Sequence, residues 1–276
     1  MSGRDAAQAA RRRKVLSMDL GLAGRSAILM ASSRGLGRAC AHSVAREGAN
    51  VVINGRTADD VHETARDIGS TYGVSTSAVV GDATETDVQD ELLAACPEPD
   101  IVLLNGGGPP FSRFGDIEPE QWQDAAQRLL ISPLLFVQRV VVGMAERGFG
   151  RIVTITSAMV KAPNPALSLS AGPRLGLTAV LKALSKEVAK DNVTINQLLP
   201  ERFDTERQLY MANIQMERRG ISYEEARAEQ EKSINAGRLG RPEEFGDAFA
   251  FMCSAQAGYI SGQSLQLDGG SYGGVF

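Results

Sequence analysis

The chain has 276 residues, of which 43% are hydrophobic, and a formal net charge of −4. This length and composition allow one substantial core, so we expect a single folded domain. The net negative charge gives no general attraction to nucleic acid or to an anionic membrane surface. No apolar stretch approaches the roughly 20 residues of a membrane span and no secretory signal is visible, which favours a cytoplasmic protein.

The cysteines and histidines are few. Cys40, Cys96 and Cys253 are widely spaced and odd in number, which predicts buried free thiols rather than disulfides or a zinc site. His42 and His62 are the only histidines. A histidine-based catalytic triad is therefore not expected, and no metal is predicted.

Short β-branched runs alternate with longer helical patterns along most of the chain. Residues 1–20 are small, polar and basic and predict a flexible leader, whereas residues 21–276 predict one domain. Strands are predicted over residues 26–30, 50–54, 76–80, 101–105, 151–157, 193–199 and 264–267. Apolar strands separated by amphipathic segments are typical of a parallel sheet covered on both faces. The fold class is therefore α/β, a Rossmann-type doubly wound sheet of seven strands.

A charged helical segment, residues 202–239, precedes the last predicted helix, with Pro200 at its entrance. Insertions of this kind often close over a ligand, so we predict a substrate lid. Ligands of doubly wound sheets bind beyond the carboxyl ends of the strands. The residues that follow each strand are therefore the candidates for a binding site.

The loop after the first strand has the composition of a dinucleotide site. Glycines let the backbone approach a pyrophosphate, and the helix that follows offers free N–H groups. The predicted contacts are Ser32, Ser33, Arg34, Gly35, Leu36 and Gly37. Arg56 lies 19 residues after Gly37, where an NAD site would have an acidic residue. Arginines at positions 56 and 34 suit a 2′-phosphate, so NADP(H) is favoured over NAD(H), although two solvated surface arginines would look the same.

Further motifs resemble those of the short-chain dehydrogenase/reductase family over residues 20–272, in overall pattern the 3-oxoacyl carrier-protein reductases. They are Gly81-Asp82-Ala83, Asn105-Gly106-Gly107-Gly108, Gly240-Arg241-Pro242, Leu267-Asp268-Gly269-Gly270, and the segment from Asn196 to Thr205, which matches the nicotinamide-side segment that usually reads Pro-Gly. The resemblance implies cofactor contacts from Asp82, Ala83, Asn105, Gly106, Gly107, Pro200, Phe203 and Thr205. It also implies a homotetramer or homodimer built on two long helices, here near residues 121–147 and 170–189.

One cofactor position departs from the family's pattern. Ala31 stands where the first glycine of the loop usually lies, and its methyl group is tolerable if the residue keeps a negative φ.

The family's mechanism implies a serine that polarises the substrate carbonyl, a tyrosine acid, a lysine that lowers the pKa of the tyrosine, and an asparagine in a proton relay. Ser157 fits the serine role. Ser170 stands 13 residues later, at the tyrosine position, and Arg174 follows after 4 more. Leu129, 28 residues before Ser157, takes the asparagine position. Three of the four expected side chains are therefore replaced.

The replacements differ in what they still allow. A serine hydroxyl is too weak an acid and too short to substitute for a phenol. An arginine keeps the positive charge and suits holding the cofactor, but its pKa above about 12 rules out proton transfer. Leu129 offers no polar group, so the relay is expected to be closed. Gly172-Pro173 predicts that the helix starts near Ser170 with Ser170 as its cap, in which case Ser170 is only structural.

Other residues are candidates for the proton donor. Lys161 lies on the loop after Ser157, where burial would lower its pKa. Tyr210 and Tyr223 lie on the predicted lid, although aromatic side chains there more often line a pocket.

The leading hypothesis is an NADP(H)-dependent oxidoreductase that acts on a small-molecule carbonyl or alcohol with an atypical proton donor. The alternative is a cofactor-binding pseudoenzyme with an impaired acid–base set. A dehalogenase-like lyase is a third reading, because halohydrin dehalogenases resemble this family and carry arginine at the lysine position. They keep the tyrosine and remodel the glycine loop, which argues against that reading.

Overall fold

The computed structural model describes residues 18–275. Most of the predicted leader, residues 1–17, therefore lies outside the described residues. The last leader residues contact the domain, since the carbonyl of Leu20 accepts a hydrogen bond of 3.0 Å from the backbone N–H of Ala255.

Seven parallel strands form one sheet. They are β1 (Ser26–Leu29), β2 (Asn50–Gly55), β3 (Thr76–Val80), β4 (Ile101–Leu104), β5 (Gly150–Ile155), β6 (Val193–Pro200) and β7 (Ser264–Leu267). Their order is β3-β2-β1-β4-β5-β6-β7. The doubly wound prediction is confirmed, and every strand bound lies within two residues of the predicted one. The order reverses between β1 and β4, which is where such sheets bind ligands.

Nine α-helices surround the sheet in the described part of the chain. They are α1 (Gly35–Arg46), α2 (Ala58–Tyr72), α3 (Thr86–Ala95), α4 (Pro119–Ala126), α5 (Ser132–Glu146), α6 (Ser168–Val188), α7 (Glu206–Arg219), α8 (Tyr223–Lys232) and α9 (Pro242–Cys253). Alternate strand residues face opposite sides, so Leu29 and Ile53 pack with Phe245 of α9, whereas Ile28 packs with Phe136 of α5. A core on each face holds the sheet edge rigid. The three cysteines are buried free thiols, as predicted.

A π-helical turn, Gln127–Ile131, joins α4 to α5 in one continuous helix. That helix, Pro119–Glu146, has 28 residues and contains an 18-residue window with a mean hydropathy of 1.6, so by length and composition alone it is apolar enough to cross a membrane. The expectation that no stretch approaches this length was therefore wrong. Core helices of globular proteins meet the same criterion, and Phe136, Val140 and Met144 of this helix pack in the core between the sheet and α6.

The helix α6 begins earlier than predicted. A 3₁₀ turn, Pro165–Leu167, leads directly into Ser168, and Leu167 is the N-cap. Ser170 is therefore not the cap, and Pro173 lies inside the helix. Pro173 is the sixth residue of the helix, beyond the N–H groups that have no intrahelical partner, so its missing N–H removes one hydrogen bond near the start of the helix.

The predicted lid segment contains α7 and α8. One arginine of each helix forms an ion pair. Arg219 of α7 pairs with Glu229 of α8, and Arg227 of α8 pairs at 2.6 Å with Asp204, which lies just before α7. The amide of Gln230 donates to the carbonyl of Gln208 at 3.0 Å. These contacts tie the two helices into one unit beside the sheet edge.

The turn after β1 is held by two asparagine side chains. Ala31 has a φ of 45°, which corrects the expectation of a negative φ. Left-handed backbone costs a non-glycine residue about 1–2 kcal/mol. Asn54 accepts from the Ala31 N–H at 3.0 Å, and Asn105 donates to the Ala31 carbonyl at 2.9 Å. Hydrogen bonds on both sides of the residue therefore offset its strain.

Asn54→Ala tests this clamp. The Asn54 amide also donates to the carbonyls of Val79 and Gly81, each at 3.1 Å, so removal leaves three backbone groups unpaired at the ends of β1 and β3. We expect a loss of about 2–4 kcal/mol in the free energy of unfolding, measured by urea denaturation. Asn213→Ala, on the exposed face of α7, is the control and should change it by less than about 0.5 kcal/mol. Equal midpoints would contradict the clamp.

Candidate active site

An open cleft of about 1120 Å³ lies along the carboxyl ends of the strands and extends under the lid. It brings together most of the predicted site residues, which come from the segments after β1 to β6. These are Ser33, Arg34, Gly35, Leu36, Gly37, Arg56, Asp82, Ala83, Asn105, Gly106, Gly107, Ser157, Ser170, Arg174, Pro200, Phe203 and Thr205. Ser32 and Lys161 are not among the lining residues. The Ser32 hydroxyl turns inward and donates to the Leu29 carbonyl at 2.6 Å.

The start of α1 forms one wall of the cleft. Gly35 has a φ of 54°. A Cβ atom on Gly37 would lie 2.2 Å from the Ala31 carbonyl oxygen and 2.9 Å from the Asn105 amide nitrogen. Only glycine fits at position 37. The close approach leaves the first N–H groups of α1 facing an anion-binding space.

Two arginines flank the cleft beyond β2. The Arg34 guanidinium forms an ion pair with Asp60 at 2.6 Å. A hydrogen bond from Arg34 lowers the pKa of the Asp60 carboxyl. Arg56 is exposed on the same side of the cleft. This end therefore carries two cations, one of which is neutralised by a carboxylate that sequence reasoning missed.

Asp82, after β3, is also held ionised. Burial acts to raise the pKa of its carboxyl, but hydrogen bonds from Thr84 and Arg128 outweigh burial and lower the pKa below its usual value. The Arg128 guanidinium donates at 2.8 Å. Arg128 lies in the π-helical turn, and this contact links the turn to the floor of the cleft.

Arg174 is a buried cation without an ion-pair partner at the described residues. Its guanidinium donates to the Ile155 carbonyl at 2.8 Å, to the Ser170 hydroxyl at 3.2 Å and, at 3.4 Å, to the Gly106 carbonyl. Burial lowers its pKa to about 10, so it remains charged at neutral pH. An uncompensated buried charge attracts an anion or a developing negative charge.

Ser157 and Ser170, the two serines of the predicted catalytic set, both accept hydrogen bonds within the protein. The Ser157 hydroxyl accepts a hydrogen bond of 3.2 Å from the Met159 N–H and caps the 3₁₀ turn after β5. Because it accepts there, its own proton can point into the cleft. Ser170 accepts from Arg174, so its side chain positions the guanidinium.

No tyrosine or lysine lines the cleft among the residues that the structure describes. The Lys161 ammonium instead lies 5.8 Å from the centre of the Tyr272 ring. Tyr210 and Tyr223 of the lid are 57% and 36% exposed and also lie outside the lining. Lys161, Tyr210 and Tyr223 were candidates for the proton donor, but none of them lines the cleft. Leu129, in the π-helical turn, does line the cleft, but it brings only an apolar side chain.

Glu201 is a cleft residue that sequence reasoning did not consider. It follows β6 directly, and its backbone N–H donates to the Leu267 carbonyl at 3.1 Å. Burial raises the pKa of its carboxyl. The signal was visible in the sequence, because this position holds a glutamate where the resemblance leads one to expect glycine.

Comparison with known proteins identifies the chain. A family model described as enoyl-(acyl carrier protein) reductase matches residues 30–272. The chain belongs to the short-chain dehydrogenase/reductase family. The 3-oxoacyl-(acyl-carrier-protein) reductase FabG of Aquifex aeolicus is 27% identical over 259 residues, which cover 92% of this chain and 100% of that protein. The sequence resemblance is thereby confirmed.

Solved structures of the family share the fold. L-sorbose reductase from Gluconobacter frateurii, complexed with NADPH and L-sorbose, is 27% identical with a TM-score of 0.88 and covers 94% of this chain and 100% of its own. A 3-oxoacyl (acyl-carrier-protein) reductase from Agrobacterium tumefaciens with NADP bound is 26% identical with a TM-score of 0.82 and covers 93% and 98%. The chain is thus an oxidoreductase-family protein over nearly its whole length.

Gly37→Ala tests the crowded turn. The added methyl group must displace the Ala31 carbonyl and the Asn105 amide, which already hold a strained residue. We expect a loss of about 1–3 kcal/mol in the free energy of unfolding, measured by urea denaturation. Gly108→Ala is the control, since no atom lies within 4 Å of the added Cβ, and it should cost less than about 0.5 kcal/mol. Equal losses in both variants would refute the steric argument.

Proposed function

We propose that the protein is an NADP(H)-dependent oxidoreductase that acts on a small-molecule carbonyl or alcohol. The observation that carries this proposal is the cleft itself, which joins a glycine-walled anion site, two arginines and a serine–arginine pair in one continuous space. The cofactor of two related structures, NADPH in the sorbose reductase and NADP in the Agrobacterium reductase, supports the same assignment.

The residues present fit a dinucleotide. The free N–H groups at the start of α1 suit the pyrophosphate, and the absence of a side chain at Gly37 keeps that approach open. Thr154 and Thr156 line the cleft, and their buried hydroxyls have no hydrogen-bond partner. A bound ligand could form hydrogen bonds with them. Asp82 and Ala83 would hold the adenine, and Asn105, Pro200 and Thr205 would hold the nicotinamide end.

Arg34 and Arg56 would hold the 2′-phosphate. Both lie beside the end of β2, where an acidic residue would be needed to select the ribose hydroxyl of NAD. Arginine binds phosphate through charge-assisted hydrogen bonds. The preference for NADP(H) therefore depends on these two side chains.

Bound NADPH supplies the hydride. The Ser157 hydroxyl then donates a hydrogen bond to the substrate carbonyl, and the buried charge of Arg174 stabilises the negative charge that develops on its oxygen. Arg174 is assigned the charge and not the proton, because it stays protonated at neutral pH, with a pKa of about 10, and its Nε, Nη1 and Nη2 groups already donate to Ser170, Ile155 and Gly106. The proton must come from another group, and that donor is atypical for the family.

A cofactor-binding pseudoenzyme is the second candidate. Two observations favour it: the Ser157 hydroxyl already caps a turn, and the described cleft lining contains no tyrosine or lysine. In this reading the dinucleotide stabilises an assembly and no substrate is turned over.

One experiment separates the two candidates. NADPH and NADH are titrated by fluorescence, and nicotinamide absorbance is then followed over a panel of carbonyls and alcohols. We expect tighter binding of NADPH and measurable turnover, with kcat lowered about 10- to 1000-fold in Ser157→Ala because one stabilising hydrogen bond is lost. Tight NADPH binding without turnover would favour the pseudoenzyme. Absence of dinucleotide binding would refute both.

Asp60→Asn tests the role of Arg34. The substitution removes the carboxylate that pairs with Arg34 at 2.6 Å and would repel a 2′-phosphate. We expect the Kd for NADPH to fall several-fold while the Kd for NADH stays unchanged, because only NADPH carries the additional phosphate. The control is Asp87→Asn on α3, outside the cleft lining. An equal change for both dinucleotides would contradict this role.

An apolar surface on α5 and α6 supports the proposed assembly into a homodimer or homotetramer. Leu135 and Val142 of α5 and Leu175 and Val180 of α6 are 46–61% exposed. A subunit interface on these two helices would remove the four apolar side chains from water. A cytoplasmic location stays a prediction.

A further inference from the structure

The charge of Arg174 has no counter-charge among the described residues. The side chain is 7% exposed, yet it lines the cleft, and its three hydrogen bonds all go to uncharged oxygens. Burial lowers its pKa, and no carboxylate acts to raise that pKa. A buried cation without a partner is costly, so a site that keeps one is suited to an anion.

The carboxylates that line the cleft are directed toward other cations. Glu206 lies against Gly35 and acts on the charge of Arg34. Glu201 has Arg202 and Asp268 as its charged neighbours. Three more form ion pairs, Asp60 with Arg34, Asp82 with Arg128 and Glu229 with Arg219. The anion that neutralises Arg174 therefore has to arrive with a ligand.

The guanidinium is held in a fixed orientation and has donors to spare. Its bonds to Ser170 of α6, to the Ile155 carbonyl of β5 and to the Gly106 carbonyl after β4 fix it from three elements. Of the five N–H groups of an arginine, these bonds use three, so two remain. Two parallel N–H groups match the two oxygens of a planar ligand such as a carboxylate.

The loop beside the guanidinium leaves room for such a ligand. A Cβ atom on Gly106, Gly107 or Gly108 would meet no atom within 4 Å. In the described part of the chain, the N–H groups of Gly107 and Gly108 have no hydrogen-bond partner. Ser170 adds space, since the family's side chain at this position is a tyrosine. Arg174 thus borders an open region with further free donors.

Apolar side chains border the same region. The Ser112 N–H donates to the Ala166 carbonyl at 3.2 Å, which joins the loop after β4 to the 3₁₀ turn that starts α6. Phe111 and Leu167, the chain neighbours of these two residues, both line the cleft. The ligand therefore has an apolar wall within reach of the cation.

Ser157 adds the polar group for a carbonyl. It caps the 3₁₀ turn Ala158–Val160, which packs against α6, and Met159 of that turn lines the cleft. In the proposed reaction Arg174 faces the carbonyl oxygen to which Ser157 donates. One guanidinium can hold both that oxygen and an anionic oxygen when the two lie side by side. They do so in a 2-oxo acid, in which the carbonyl is bonded directly to the carboxylate.

We propose that the substrate is a 2-oxo acid with an apolar side chain, or the corresponding 2-hydroxy acid, and that Arg174 binds its carboxylate. This rests on the proposed oxidoreductase function. The carboxylate and the adjacent carbonyl oxygen accept from the two remaining N–H groups of Arg174, and Ser157 donates to the same carbonyl oxygen. The side chain of the substrate packs against Phe111, Met159 and Leu167.

Benzoylformate and its amide, benzoylformamide, test the need for a negative charge, because they have nearly the same shape and only the acid is anionic. With NADPH as reductant we expect kcat/KM of the wild-type protein to be about 10- to 100-fold higher for the acid, since hydrogen bonds to a charged group are the stronger ones. Arg174→Met should abolish this preference, and Arg174→Lys, which keeps the charge, should retain part of it. Both substrates are compared within one variant, so a loss of folded protein or of NADPH binding cancels in the ratio.

The control is Arg218→Met, the same substitution on the exposed face of α7 and outside the cleft lining. It should keep the wild-type preference for the acid.

A second readout needs no turnover. Benzoylformate is titrated by calorimetry into the protein saturated with NADP⁺, which cannot reduce it. We expect its Kd to rise about 10-fold or more in Arg174→Met and to stay unchanged in Arg218→Met. A Kd that is the same in all three proteins would overturn the proposal.

Three kinetic results would also overturn it while leaving the oxidoreductase function intact. They are equal kcat/KM for acid and amide in the wild-type protein, a preference for the acid that survives in Arg174→Met, and reduction of dihydroxyacetone phosphate in preference to benzoylformate, which would make phosphate the anion. If the wild-type protein turns over no substrate, the proposed function fails. Arg174-dependent binding of benzoylformate would then still support the carboxylate site, and its absence would refute that site as well.

Discussion

The turn between β1 and α1 is the constraint on which the cleft depends. Three groups meet there: the Ala31 carbonyl oxygen, the Asn105 amide and residue 37, where any Cβ atom would lie 2.2 Å from that oxygen. The crowding is accommodated by a left-handed Ala31, by asparagine hydrogen bonds on either side of it, and by a glycine at position 37. Because Asn54 comes from β2 and Asn105 follows β4, the turn also locks three adjacent strands to one another. The binding surface of α1 is thus a product of sheet geometry.

At the opposite end of the cleft, charge rather than crowding organises the site. The Arg174 guanidinium donates to two backbone carbonyls and one hydroxyl. No carboxylate among the described residues neutralises its charge. A short-chain dehydrogenase/reductase site of the usual kind combines a charge and an acid in one tyrosine–lysine pair. In this chain an arginine on α6 keeps the charge, and the described cleft lining contains no tyrosine to supply the acid.

Much of the fold was predictable from sequence because apolar periodicity reports burial directly. The strands β3 and β7 have the predicted bounds, and the cleft contains nearly every loop residue that was expected to line it. Two of the misses concern features set by tertiary contacts, and one concerns a local turn. The φ of Ala31 depends on Asn54 and Asn105, which are distant in sequence. The helix α6 begins before Ser170 because a preceding 3₁₀ turn starts it. The partners of Asp82 and Arg34 lie on helices whose placement no local pattern specifies.

The hydrogen bonds of Arg174 also bear on how such a site can change over evolution. A lysine at position 174 has a single ammonium group and cannot reproduce a planar fork that reaches Ile155, Gly106 and Ser170 at once. A tyrosine at position 170 would remove the hydroxyl that accepts from this fork and would need the space around it. Restoring tyrosine at position 170 alone, or lysine at position 174 alone, would therefore break the hydrogen bond between these two residues. The two positions are epistatically coupled, so a lineage that has acquired this pair is held in it unless both change together.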